Sequence, residues 1–89
     1  MVVSVVRLTL LGKPGCHLCD TARDAVAEVV RELGPAASVD VEELSILDDP
    51  ELEQRYWDEI PVVLVNGRVH TIWRVDPARL SEAILEAKT

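Results

Sequence analysis

Residues 13–19 read KPGCHLC and place two cysteines three positions apart, directly after a Pro-Gly turn signal. Ahead of them, residues 2–11 are rich in valine and leucine, which predicts a buried strand. Behind them, apolar residues recur at helical spacing on one face, and Gly34-Pro35 ends the pattern. The residues of that face are Leu18, Ala22, Ala25, Val26, Val29 and Leu33. The cysteine pair is therefore predicted at the start of a helix that follows a buried strand.

The rest of the chain completes a predicted order of strand, helix, strand, helix, strand, strand, helix. The further elements are a half-buried strand at 38–44, a short helix from Asp48 to about Trp57, strands at 62–65 and 69–72 around an Asn66-Gly67 hairpin turn, and a last helix opened by Asp76-Pro77. A helix joins the first two strands, so they are expected to be parallel, while the hairpin is antiparallel. This order predicts an α/β domain with a four-stranded mixed sheet flanked by helices, and one domain over residues 1–89.

Composition narrows the function classes. The 89-residue chain has 9 Lys and Arg against 16 Asp and Glu, a net charge of −7. This balance argues against nucleic acid and anionic membrane surfaces as partners, because both are bound through basic patches. No apolar run reaches the length of a membrane span, and the apolar start lacks the basic residues and cleavage site of a signal peptide. We expect a cytoplasmic monomer.

Cys16 and Cys19 are the only cysteines, which excludes a disulfide-stapled scaffold. The first turn of a helix has unpaired N–H groups and partial positive charge, so the pKa of the Cys16 thiol is expected to fall below ~8.5, toward ~3.5–7.5. Residues i and i+3 are neighbours on a helix, so Cys19 can bond to Cys16. We predict thiol–disulfide exchange in which Cys16 attacks and Cys19, one turn inside, resolves the mixed disulfide.

Two other interpretations of the pair stay open. A structural zinc ion needs four ligands, and the remaining soft candidates are His17 and His70. His17 lies between the two cysteines and would be strained if it bound the same ion, so no metal site within one chain is predicted. A zinc ion or cluster bridging two chains, or two inert buried cysteines, are the alternatives.

Ile60-Pro61 also has two interpretations. Proline is tolerated at the head of an apolar strand, and a bare X-Pro bond is cis in only ~5–6% of cases. The other interpretation is a cis-proline loop packed against the cysteines, where the backbone of Ile60 pairs with an extended substrate.

KPGCHLC, followed by IPVVLVNG at 60–67, resembles the thioredoxin superfamily and, more closely, the small bacterial glutaredoxin-like proteins over nearly the whole chain. The resemblance implies a thioredoxin fold, a redox-active Cys16–Cys19 pair and a cis Ile60-Pro61 bond. Lys13 matches the family's lysine that meets the glycine carboxylate of glutathione. The implied partners are protein or glutathione disulfides, with glutathione as a co-substrate and no tightly bound cofactor.

The chain departs from the family's pattern near the cysteines and before the last helix. His17-Leu18 replaces the usual Pro-Tyr, Glu59-Ile60 replaces Thr-Val, and Trp73-Arg74-Val75 stands where the family has Gly-Gly. Trp73 is predicted either to cover an edge strand or, with Arg74, to form a wall of the substrate groove.

Lys13 and His17 are candidates for tuning the Cys16 thiolate, although His17 has a second interpretation as a solvated residue without effect. Asp20 is expected to support the helix start, Tyr56 and Trp57 to pack in the core and at its rim, and His70 to be exposed and idle.

These observations predict a small thiol–disulfide oxidoreductase of glutaredoxin type. The alternatives are a redox-sensing or binding module with little turnover, and a dimer that holds an iron–sulfur cluster or zinc.

Overall fold

The structure, a computed structural model, describes residues 5–88. Its strands are β1 (Val5–Gly12), β2 (Ser38–Ser45), β3 (Val62–Val65) and β4 (Arg68–Ile72), and its helices are α1 (His17–Leu33), α2 (Pro50–Tyr56) and α3 (Pro77–Ala87). Single 3₁₀ turns at Gly34–Ala36 and Ile46–Asp48 follow α1 and β2. The predicted element order is confirmed, and the first three residues of the strand predicted at 2–11 lie outside the described residues.

The four strands form one mixed sheet in the order β2-β1-β3-β4. β1 runs parallel to β2 and antiparallel to β3, and β3 pairs antiparallel with β4. Leu11 near the end of β1 pairs with Val62 at the start of β3. This register brings the loop that carries the cysteines and the Ile60-Pro61 loop to the same end of the sheet.

Side-chain caps fix where the shorter helices begin. The carboxylate of Asp49 accepts the N–H of Glu51 at 2.9 Å, and Pro50 occupies the first turn of α2. The carboxylate of Asp76 accepts the N–H groups of Ala78 and Arg79 at the start of α3. These are the Asx-Pro signals read from the sequence, and each satisfies backbone donors that a helix start leaves unpaired.

The core lies on both faces of the sheet. α1 and α3 pack on one face, and α2 covers part of the other. The buried residues of the first side are Val6, Leu8, Leu10, Ala22, Val26, Val29, Val63, Leu80 and Ile84, and those of the second are Leu11, Ile46, Tyr56 and Val62. Alternate residues of β1 thus face opposite layers, and the end of β1 that leads to the cysteines is buried on both sides.

Three burial expectations need correction. β2 is an edge strand and is mostly exposed rather than half-buried, with Val41 at 45% exposure. Leu18, predicted on the buried face of α1, is 52% exposed because it lies in the first turn, at the end of the sheet. Trp57 is exposed, whereas its neighbour Tyr56 is buried as predicted.

Within residues 5–88, none of the helices combines the length and the apolar character that crossing a membrane requires.

Candidate active site at the start of α1

Cys16 is the N-cap residue of α1. Its backbone is extended (φ −92°, ψ 110°), and its Sγ accepts the N–H of Cys19 at 3.2 Å. The Cys16 carbonyl accepts the N–H of Asp20 at 3.1 Å, which is the first hydrogen bond of the helix. The sulfur therefore occupies the position where a serine or aspartate oxygen usually satisfies a helix amide, and it remains partly exposed. This is a position where an anionic sulfur is stabilised.

Cys19 lies one turn further along α1 and is only 2% exposed. Its Sγ is within bonding distance of the Cys16 Sγ, and the two Cα atoms are 5.2 Å apart, inside the usual disulfide range. The predicted asymmetry between an outer and an inner sulfur is present in the structure. The outer sulfur is the one that a second molecule can reach.

Gly12 makes room for the inner sulfur. A Cβ atom at Gly12 would lie 3.0 Å from the Cys19 Sγ and 3.1 Å from its Cβ. The contact between Gly12 and Cys19 was not among the predictions from the sequence. A glycine at the junction of the strand and the cysteine loop is the signal that could have found it.

The Ile60-Pro61 peptide bond is cis, and the proline ring is buried. The N–H of Ile60 donates to the carbonyl of Tyr56 at 3.2 Å. The predicted pairing of the Ile60 backbone with a substrate does not involve this N–H, because the turn after α2 folds back on it. A substrate would therefore pair with the carbonyl of Ile60. The pairing itself stays a prediction.

Trp73 connects the proline loop to the region before α3. Its N–H donates to the Pro61 carbonyl at 2.8 Å, and its indole N–H donates to the Asp58 carbonyl at 2.9 Å. Its backbone is left-handed, with φ 68°, which is unusual for a large side chain. Sequence patterns carry no signal for this conformation.

Trp73 and Arg74 line a groove along α1, which we call the Leu18–Trp73 groove. Its volume is about 310 Å³, and its lining residues are Leu18, Thr21, Ala22, Ala25, Trp73, Arg74 and Val75. Trp73 and Arg74 thus form part of a groove wall, and the binding of a substrate there stays a prediction.

Lys13 lies elsewhere. It is exposed and lines a depression of about 450 Å³ with Pro14 and with residues at the end of β2 and in the turn that follows, among them Glu43 and Asp48. Lys13 and Arg74 therefore line different cavities. His17 is the exposed first residue of α1, and its carbonyl accepts the hydroxyl of Thr21 at 3.3 Å.

Asp20, the acid next to Cys19, is engaged by Arg23. The guanidinium donates to Asp20 at 2.9 Å through Nη1 and to both carboxylate oxygens of Glu43 through Nε at 2.8 and 2.9 Å. The hydrogen bond from Arg23 lowers the pKa of Glu43. A negative charge next to the cysteines disfavours a thiolate there. The ion pair with Arg23 offsets the charge of Asp20.

His70 is not exposed as expected. It is half-buried, and its Nε2 atom has no hydrogen-bond partner among residues 5–88. Burial lowers its pKa, and the charge of Arg79 adds to the effect. In the part of the chain that the structure describes, no three His, Cys, Asp or Glu side chains group as a metal site would require.

Comparison with known families identifies the chain. The family model described as "Glutaredoxin-like domain (DUF836)" matches residues 7–85. The chain belongs to this family. This glutaredoxin-like chain is 36% identical over 75 residues to the protein Rv0508 of Mycobacterium tuberculosis, covering 83% of this chain and 77% of that one. It is 31% identical over 83 residues to a protein named thioredoxin from Methanocaldococcus jannaschii, covering 92% and 95%.

Solved structures agree with this family. The protein XcR50 from X. campestris superposes with a TM-score of 0.71 at 33% identity, covering 90% of this chain and 97% of that one. Chloroplastic thioredoxin z superposes with a TM-score of 0.73 at 12% identity, covering 94% and 79%, which is a likeness of fold alone. The thioredoxin fold that the sequence resemblance implied is confirmed. A glutaredoxin-like domain with a close Cys16–Cys19 pair fits thiol–disulfide oxidoreduction.

Proposed function

We propose that this glutaredoxin-like protein is a thiol–disulfide oxidoreductase in which Cys16 attacks and Cys19 resolves. The observation that carries the proposal is the asymmetry of the pair: Cys16 caps α1 and is partly exposed, while Cys19 is buried within bonding distance of it. The name thioredoxin of the archaeal relative supports the same chemistry.

The reaction proceeds in two exchanges. The Cys16 thiolate attacks one sulfur of a substrate disulfide, a Cys16–substrate bond forms, and the other substrate sulfur leaves as a thiolate that takes a proton from solvent. Cys19 then loses its proton and attacks the Cys16 sulfur, which releases the second substrate thiol. The substrate disulfide gains two electrons and two protons and becomes two thiols. The thiols of Cys16 and Cys19 lose the same two electrons and two protons when they form their disulfide.

An external thiol restores the dithiol. Two equivalents of a small thiol reduce the Cys16–Cys19 bond and leave as their own disulfide. We place glutathione in this role as a co-substrate, with no tightly bound cofactor. The proposed setting is the cytoplasm, and the proposed active form is a monomer.

Residues around the pair are proposed to assist it. The helix start, Lys13 and His17 favour the Cys16 thiolate, since each brings positive charge or N–H groups to the same loop. The carbonyl of Ile60 contacts the substrate, and the buried ring of Pro61 shapes the loop that presents this carbonyl. The residues next to the substrate cysteine lie along Trp73 and Arg74. Protein disulfides are the proposed substrates.

Single-turnover exchange tests the proposal. The fully reduced protein is mixed with bis(2-hydroxyethyl) disulfide, and products are identified by mass spectrometry. We expect the unaltered protein to end as the intramolecular disulfide, Cys19→Ser to stop as a mixed disulfide on Cys16, and Cys16→Ser to be inactive. Full exchange by Cys16→Ser would disprove the assignment of the nucleophile.

The two alternatives give different results. A redox-sensing module would form the Cys16–Cys19 bond but would not sustain turnover with glutathione. A dimer that holds an iron–sulfur cluster would show visible absorption when purified without oxygen. A dimer that holds zinc would contain zinc in a metal analysis.

A further inference from the structure

The Leu18–Trp73 groove presents apolar surface along the first turns of α1, the helix whose N-cap is Cys16. Leu18 follows the cysteine that attacks by two positions, and its side chain is 52% exposed, as Trp73 is at 54%. Both line the same concave surface. Large apolar side chains left exposed in a groove mark a surface that another molecule covers.

One wall of the groove is held in place from two directions. The backbone N–H of Trp73 is bonded to the Pro61 carbonyl, and its indole N–H is bonded to the Asp58 carbonyl. The ring is thus fixed to the proline loop before any substrate arrives. A fixed wall loses little conformational freedom on binding, so the contact area it offers is retained as binding energy.

The lining suits an apolar side chain better than a charged one. Arg74 is the one charged residue and Thr21 the one other polar residue among those that line the groove. Its volume of about 310 Å³ lies at the lower end of the range of about 300–1,000 Å³ for ligand pockets, so it accommodates a side chain of a bound peptide. The glutamyl end of glutathione carries a carboxylate and an ammonium, and both would lose water here with only Arg74 as a partner.

The charge of the chain indicates the kind of partner. With a net charge of −7, the protein attracts surfaces of positive charge and repels small anions such as glutathione disulfide at a distance. Lys13, which could offset this repulsion, lines a different cavity. The lining of the groove favours an apolar side chain, and the net charge of the chain favours a basic protein partner over an acidic small molecule.

We propose that the Leu18–Trp73 groove selects disulfides of proteins with a basic surface in which an apolar side chain lies next to the attacked cysteine. This inference deepens the proposed function and rests on it.

The test uses two peptides in disulfide-linked form that carry the same lysines and differ only in Leu or Ser beside the cysteine. The second-order rate of their reaction with the reduced protein is divided by their rate with dithiothreitol, which removes intrinsic reactivity. We expect a Leu-to-Ser ratio of at least about tenfold, which is what a small apolar difference in a pocket supplies.

Variants locate the preference in the groove. Leu18→Ser and Trp73→Ala each should bring the ratio close to one. Leu85→Ser is the matched control, because it removes an exposed leucine from α3 that does not line the groove. Leu85→Ser should keep the ratio of the unaltered protein.

The outcomes separate this inference from the function on which it rests. Reaction with both peptides at equal rates, a ratio that neither groove variant changes, or faster reaction with glutathione disulfide than with the Leu peptide would overturn the groove assignment while leaving exchange chemistry intact. If Cys16 reacted with none of the disulfides, including bis(2-hydroxyethyl) disulfide, both the groove assignment and the proposed function would be overturned.

Discussion

Gly12→Ala tests whether the end of β1 is built around the inner sulfur. Gly12 has an ordinary backbone conformation that alanine can also adopt. Without a clash, alanine would stabilise the fold by about 0.4–1 kcal/mol, because it reduces the conformational entropy of the unfolded chain. The new methyl group would meet the Cys19 Sγ at 3.0 Å and its Cβ at 3.1 Å. Cys19 is buried in the first turn of α1 and has little room to move. Overpacking of this kind costs about 1–3 kcal/mol, so the clash decides the sign.

We expect a net loss of about 1–2 kcal/mol in the free energy of unfolding of the reduced protein. For a domain of this size, that lowers the melting temperature by about 4–16 °C. Thermal and urea unfolding followed by circular dichroism measure it. Cys19→Ala is the matched background, since it removes the Sγ contact and should recover part of the loss. A Gly12→Ala protein as stable as the unaltered one would refute the packing argument.

Three further changes probe other parts of the structure. Asp76→Ala should cost about 1 kcal/mol in the free energy of unfolding because the cap of α3 is lost, and Asp76→Asn, which keeps an acceptor, should cost much less; equal losses would contradict the cap. His70 has a lowered pKa in the fold, so the unfolded chain binds more protons below about pH 6.5, and stability should fall as pH drops through that window. His70→Phe should reduce this fall in urea titrations at pH 7 and pH 5, and an unchanged pH dependence would count against the burial of His70. Trp73→Phe removes the indole donor to Asp58 while keeping an aromatic wall, and it should cost about 0.5–1.5 kcal/mol; no loss would mean that the bond does not hold the ring.

Local signals in the sequence account for most of the fold. The Pro-Gly turn before the cysteines, the Asx-Pro starts of α2 and α3, and the Asn66-Gly67 turn each act within a few residues, so they predict where elements begin. The asymmetry of Cys16 and Cys19 follows from the same local geometry, since one caps the helix and the other lies a turn inside it.

What sequence patterns missed depends on packing between distant segments. The contact of Gly12 with Cys19 and the bonds from Trp73 to Asp58 and Pro61 join parts of the chain that only the sheet brings together. The burial of His70 and the exposure of β2 likewise depend on which elements cover each strand. The periodicity of apolar residues indicates which residues of a strand share a face, but it does not show whether another element covers that face.

The central claim is that the start of α1 holds the Cys16 sulfur as an anion. The most direct measurement is titration of that thiol in the Cys19→Ser protein, followed by thiolate absorbance and by the pH dependence of alkylation. We expect a pKa within about 3.5–7.5, because the sulfur caps the helix. A pKa at or above the free-cysteine value of about 8.5 would contradict the account.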